Sequence, residues 1–99
     1  MINIITIKSP NPFFSYLDEK SFFTWLESID GVVKVAGYLD ELDISLDVPL
    51  SEESLRDLIA VMHRYNVDKK CLKEFVTPEN KKWFKDNKNA YWHNSIFGD

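Results

Sequence analysis

Val32-Val33-Lys34-Val35-Ala36-Gly37-Tyr38-Leu39-Asp40-Glu41-Leu42-Asp43-Ile44-Ser45-Leu46-Asp47-Val48 is the stretch whose reading decides the fold. In its second half Leu42, Ile44, Leu46 and Val48 alternate with Asp43, Ser45 and Asp47, the period of two expected of a strand buried on one face and wet on the other. Residues 32–39 supply an antiparallel mate. A two-residue connection at Asp40-Glu41 sets Leu39 against Leu42, Gly37 against Ile44, Val35 against Leu46 and Val33 against Val48 on the inner face. The outer pairs are then Tyr38/Asp43, Ala36/Ser45 and Lys34/Asp47, the last with opposite charges. Asp-Glu lacks the Asn-Gly chemistry of a tight hairpin, so a four-residue loop is the alternative.

Upstream, Ile2-Asn-Ile-Ile-Thr-Ile7 is β-branched and apolar at both alternating positions, as in a strand covered on more than one side. Ser9-Pro10-Asn11-Pro12 stops it, and Phe13, Phe14, Tyr16 and Leu17 are expected to return apolar weight to the core. Asp18 is the expected cap of a helix over residues 19–29, with Phe22, Trp25, Leu26 and Ile29 on its buried face. Leu17 and Phe22 form its hydrophobic staple, and Gly31 ends it. Downstream, Ser51 caps a second helix whose stripe is Leu55, Leu58, Ile59, Met62 and Tyr65, with Leu50 and Leu55 as its staple. Asn66 ends that helix, Asp68 starts a short one through Val76, and Thr77-Pro78-Glu79 opens another before Trp83 and Phe84. The order β-α-β-β-α-α-α implies an α+β domain over residues 1–99: a small mixed or antiparallel three-stranded sheet with helices packed mainly on one face.

Ninety-nine residues suffice for one core, and 44% hydrophobic with 14% aromatic residues is too much burial capacity for a disordered chain. The net charge of −4 argues against a general binder of nucleic acid or anionic membranes. Cys71 stands alone and cannot form an internal disulfide, and the apolar start is far shorter than the roughly 20 residues of a membrane span. These features lead to the expectation of a cytoplasmic protein with no membrane contact.

Catalytic groups are sparse. His63 and His93 could serve as acid and base in a metal-independent nuclease only if the fold brought them together. Cys71 lies near Lys69, Lys70 and Lys73, which could activate a thiol, although a small buried side chain is the simpler reading. No paired Cys/His spacing, His-Glu-x-x-His or calcium-loop pattern occurs, and Asp43 and Asp47 stand roughly 13 Å apart along a strand. Three glycines, at 31, 37 and 98, make no phosphate cradle. The expectation is no catalytic set, no metal and no cofactor.

Charge is distributed unevenly. Residues 40–57 hold seven acids and one base, a balance of −6, whereas residues 69–88 hold seven lysines and three acids, a balance of +4. An acidic surface of this kind steers a basic partner. The expected contact set is Asp40, Glu41, Asp43, Asp47, Glu52 and Glu53, with Tyr38 as an aromatic anchor. Six aromatics interleave with lysines in the last quarter. Lys81, Lys82, Trp83, Lys85, Lys88 and His93 therefore make a second candidate surface, for single-stranded nucleic acid, against the plainer reading of core filling. A third possibility is a homo-oligomer formed by an edge strand pairing with its copy.

Arg64-Tyr65-Asn-Val-Asp68-Lys-Lys-Cys-Leu72-Lys-Glu-Phe75, then Asn80-Lys-Lys-Trp83-Phe84 and Tyr91-Trp92 with Ile96-Phe97-Gly98, resembles a group of small uncharacterised bacterial proteins. As a short, acidic, motif-poor α+β domain the chain is also similar in type to the immunity proteins of contact-dependent and polymorphic toxin systems. That resemblance implies a non-enzymatic bacterial protein that binds and blocks a basic toxin domain; it transfers no site residues.

Overall fold

The computed structural model describes residues 1–98. Strand β1 (Ile2–Lys8) is followed by helix α1 (Tyr16–Ser28), strands β2 (Val32–Tyr38) and β3 (Glu41–Asp47), and helix α2 (Glu52–Arg64). A 3-10 helix (Lys70–Phe75) and the short helices α3 (Lys81–Phe84) and α4 (His93–Phe97) complete the chain. The sheet is antiparallel in the order β1-β3-β2, so the alternating strand β3 is central and both others are edges. It is an α+β fold with the helices over one face.

The alternation in β3 is realised: Leu42, Ile44 and Leu46 are buried, and Glu41, Asp43 and Asp47 are exposed. The hairpin register differs from the sequence expectation by two residues. Tyr38 pairs with Glu41, Gly37 with Leu42, Ala36 with Asp43 and Val35 with Ile44, across a two-residue turn at Leu39-Asp40. A two-residue slip keeps every side chain on its face, so the hydrophobic pattern alone cannot separate the two registers. The observed turn puts Leu39 in the left-handed conformation at φ 57°, which leucine does not favour, so local turn chemistry does not separate them either. The register breaks between Val32 and Lys34, and Val33, expected inside against Val48, is extruded and 61% exposed.

Strand β1 also departs from expectation. Ile5 and Ile7 enter the core, but Ile2 and Ile4 lie on a face that no helix covers. A β-branched run satisfies strand sterics whether or not both faces are buried. Helix α1 begins three residues earlier than expected. Ser15 is its cap, accepting from the Asp18 N–H at 3.2 Å, while the Asp18 carboxylate reaches back to the Phe14 N–H at 3.0 Å. The acid expected to cap the helix thus sits at its third position and reaches back past the cap to the residue before it. Leu17 is consequently 68% exposed and makes no staple, and of the aromatics after the prolines Phe13 packs on Phe22 while Phe14 and Tyr16 stay in solvent.

Ser51 caps α2 as expected, accepting from the Ser54 N–H at 3.1 Å. The helix is buried more widely than its stripe implies, since Ser54 and Val61 are buried as well. Around the helix from those two, beyond the Ile59 edge of the stripe, the C-terminal segment packs: the Arg56 guanidinium lies over Trp83 at 4.2 Å and near Trp92 at 5.7 Å, and His63 packs on Tyr91 at 4.7 Å. Asn66 ends the helix at φ 58°. The Asp68 carboxylate accepts from the Lys70 N–H, and the segment expected to be helical through Val76 is a 3-10 turn ending at Phe75. At Thr77-Pro78-Glu79-Asn80 the side chains of Thr77 and Asn80 each accept the other's backbone N–H, so a closed turn precedes the helix at Lys81.

Candidate functional site

Because β3 is central and its outer positions face solvent, cross-strand register maps the open face of the sheet in four rows. Lys8, Glu41 and Tyr38 form the first, and Thr6, Asp43 and Ala36 the second. Ile4, Ser45 and Lys34 form the third, and Ile2 with Asp47 the fourth, beside the extruded Val33. Isoleucines line one side, carboxylates run down the middle, and Tyr38 stands exposed at one end beside Leu39 of the turn.

Of the seven residues expected to form a contact, Tyr38, Glu41, Asp43 and Asp47 share this face and Asp40 sits in the adjoining turn. Glu52 and Glu53 stand off the sheet, in the first turn of α2. The acidic surface is less negative than its sequence density suggests, since most of its members have cationic partners. Lys8 reaches Asp40 at 3.2 Å and Glu41 at 3.7 Å, and these two carboxylates hold its ammonium above the usual lysine range. Asp47 pairs with the amino group of Met1 at 3.1 Å and Glu52 with Arg56 at 2.9 Å, while Asp43 accepts the Thr6 hydroxyl at 2.6 Å. The pairs on the sheet are solvent-exposed, a setting in which an ion pair is weak and yields readily to a competing cation.

The second candidate surface is partly dismantled by the core. Phe84 is fully buried and Trp92 nearly so; Trp83 is half-buried against Arg56, Phe84 and Trp92. Lys81 is paired with Asp86 at 2.9 Å, and that lysine holds the aspartate below the usual carboxylate range. His93 places Nε2 2.8 Å from the Lys85 carbonyl and stacks on Phe97, whereas His63 engages Tyr91. The two imidazoles therefore serve different neighbours. Burial pushes the Cys71 thiol up to about 11, with Glu74 and Asp68 adding to the effect, so it is no thiolate at neutral pH. The nearby lysines do not offset this, and burial lowers the pKa of Lys69 itself. No group of three or more His, Cys, Asp or Glu side chains comes together among the described residues, and no helix there is long and apolar enough to cross a membrane.

Sequence reasoning missed the apolar contribution to the open face. Ile2, Ile4 and Val33 looked like core residues, and nothing in a β-branched run states which side a helix will cover. Comparison of the chain with protein-family models, curated proteins and solved structures finds no match.

Proposed function

We propose that this chain is a non-enzymatic binding protein that occludes a basic protein domain, as an immunity protein occludes its cognate toxin, and that it does so with the open face of its sheet. The observation that carries this reading is the helix-free face itself, which exposes Ile2, Ile4, Val33 and Tyr38 around the carboxylates of Glu41, Asp43 and Asp47. An exposed apolar patch with polar side chains beside it marks an interaction surface. The carboxylates steer a basic domain into place, and the apolar side chains are desolvated on contact. The exposed partners of the carboxylates are no obstacle, because Asp40 and Glu41 can exchange Lys8 for a cation on the partner at little cost.

The test is affinity capture from the source cells on the immobilised protein and on a variant with Glu41, Asp43 and Asp47 changed to lysine. The expected result is a basic protein, identified by mass spectrometry, that the native chain retains at low salt, loses as salt rises, and that the variant fails to retain although its circular dichroism is unchanged. A captured set indifferent to the three substitutions overturns the reading. A set dominated by nucleic acid released by nuclease treatment overturns it in favour of the lysine-rich C-terminal surface.

A further inference from the structure

The pairing of β1 with β3 determines where the β1 backbone points. Val48 donates to the Met1 carbonyl and Ser9 to the Asp40 carbonyl, each at 2.8 Å, which makes Met1/Val48 and Ser9/Asp40 hydrogen-bonded pairs. By the two-residue period of an antiparallel ladder, Asn3, Ile5 and Ile7 bond to β3 in the same way. The N–H and C=O groups of Ile2, Ile4, Thr6 and Lys8 therefore point away from β3, along an edge with no further strand among the described residues. Such a row is a template for another strand, and proteins usually blunt it with a bulge, a proline or a charge. The other edge is so treated: β2 carries the break at Val33 and a lysine beside it. Strand β1 is regular for seven residues, free of proline, and charged only at its last position.

A pocket of about 380 Å³ adjoins the same strand. Met1 and Asn3 line it from the strand, together with the apolar side chains of Val48, Leu50, Leu55 and Phe75. Glu74 contributes a carboxylate, one oxygen of which accepts from the Asn3 amide at 2.9 Å. Asn3 projects to the inner side of the sheet, so the side chain of any residue paired beside it on a new strand also projects there, over the pocket.

We propose that β1 accepts an extended segment of the protein partner as a fourth strand, with one large apolar side chain of that segment seated in the pocket and basic residues flanking it. The inference rests on the binding reading above and names how the partner engages. Only an extended backbone satisfies a row of ladder groups at this spacing, which makes the occupant a polypeptide segment. The pocket selects the apolar side chain. Glu74 at the pocket selects the basic flanks. A second copy of the chain fits less well: its own Ile5 and Ile7 are committed to its core, so its β1 could pair but could not fill the pocket.

The probe is an N-acetylated, amidated peptide that alternates threonine with leucine and valine between terminal lysines, followed by amide hydrogen exchange in the intact protein. In the free protein Ile4 and Thr6 exchange rapidly while Asn3, Ile5 and Ile7 are protected. The peptide slows Ile4 and Thr6 by about tenfold or more and shifts the methyl resonances of Leu50 and Leu55. N-methylation of the peptide amides that face β1 abolishes binding, whereas methylation of the intervening amides does not. On the protein side Ile4→Pro removes an edge donor that takes no part in the β1–β3 ladder, and it is expected to lose binding with the fold retained. Absence of binding, binding without slowed exchange at Ile4 and Thr6, or indifference to N-methylation overturns the proposal. Protection of Ile4 and Thr6 that grows with protein concentration alone overturns it in favour of a second copy. If the peptide fails while the carboxylate-to-lysine variant still loses its captured partner, docking is through the open face and the binding reading stands without the added strand.

Discussion

Alanine placed in turn at Ile4 and Ile5, neighbours in β1, separates the two faces of the sheet energetically. The substitution deletes three carbons, worth about 2.4 kcal/mol at roughly 0.8 kcal/mol per fully buried methylene. Ile5 is 3% exposed and faces Ile44 across the ladder, so its full transfer term is lost and a cavity remains. The expected cost is about 3–4 kcal/mol, inside the usual range of about 2–5 kcal/mol for such truncations. Ile4 is 58% exposed, leaving about two-fifths of that transfer and no enclosed cavity, so its cost is about 1 kcal/mol. Urea unfolding followed by far-ultraviolet circular dichroism, with unchanged slope, should place the two variants about 2–3 kcal/mol apart, I5A the less stable. Equal losses near 3 kcal/mol would mean that Ile4 is covered in solution, and the description of an open sheet face would be wrong.

Gly31 sits at φ +96°, and a Cβ there would lie 2.8 Å from Leu50 Cδ2. Gly31→Ala is therefore expected to cost more than about 1 kcal/mol by the same unfolding measurement, although alanine usually stabilises a permissive site. Cys71 at pH 8 should react with iodoacetamide about a hundredfold more slowly than in urea, as follows from a thiol raised from 9.0 to about 11. Because the folded chain disfavours the thiolate, this group's contribution to stability falls as pH climbs from 9.0 towards 11, and labelling should accelerate over the same interval. Arg56→Lys keeps the charge opposite Glu52 but loses the planar cation over Trp83. A loss of about 0.5–2 kcal/mol with a change in tryptophan emission is expected, and an unperturbed spectrum would argue against the stacking.

How far the sequence could be read follows from what each signal encodes. The β3 alternation and the Ser51 cap each carry their own local physics, a two-residue period and a hydroxyl before an acidic first turn, and both are realised. The hairpin register is invisible to periodicity because a shift of two preserves every face; it depends on whether Leu39-Asp40 or Asp40-Glu41 turns the chain. Ser15 and Asp18 are both acceptable caps, and choosing between them requires knowing that Asp18 folds back to Phe14. The acids and Tyr38 of the candidate surface could be picked out from the sequence. Its neutralisation could not, because Lys8 lies more than 30 residues from Asp40 and Glu41 in sequence and meets them only through β1–β3 pairing. The same long-range pairing determines that β1 is a free edge, and no local pattern reports it.

Hydrogen exchange of the protein alone and in complex with the basic partner recovered by capture bears most directly on where this molecule acts. Slowed exchange should appear at Ile4 and Thr6 and in the residues around Tyr38 and Glu41, with residues 81–97 unchanged. Protection confined to residues 81–97, with β1 and the hairpin exchanging as in the free protein, would contradict the assignment of binding to the open sheet.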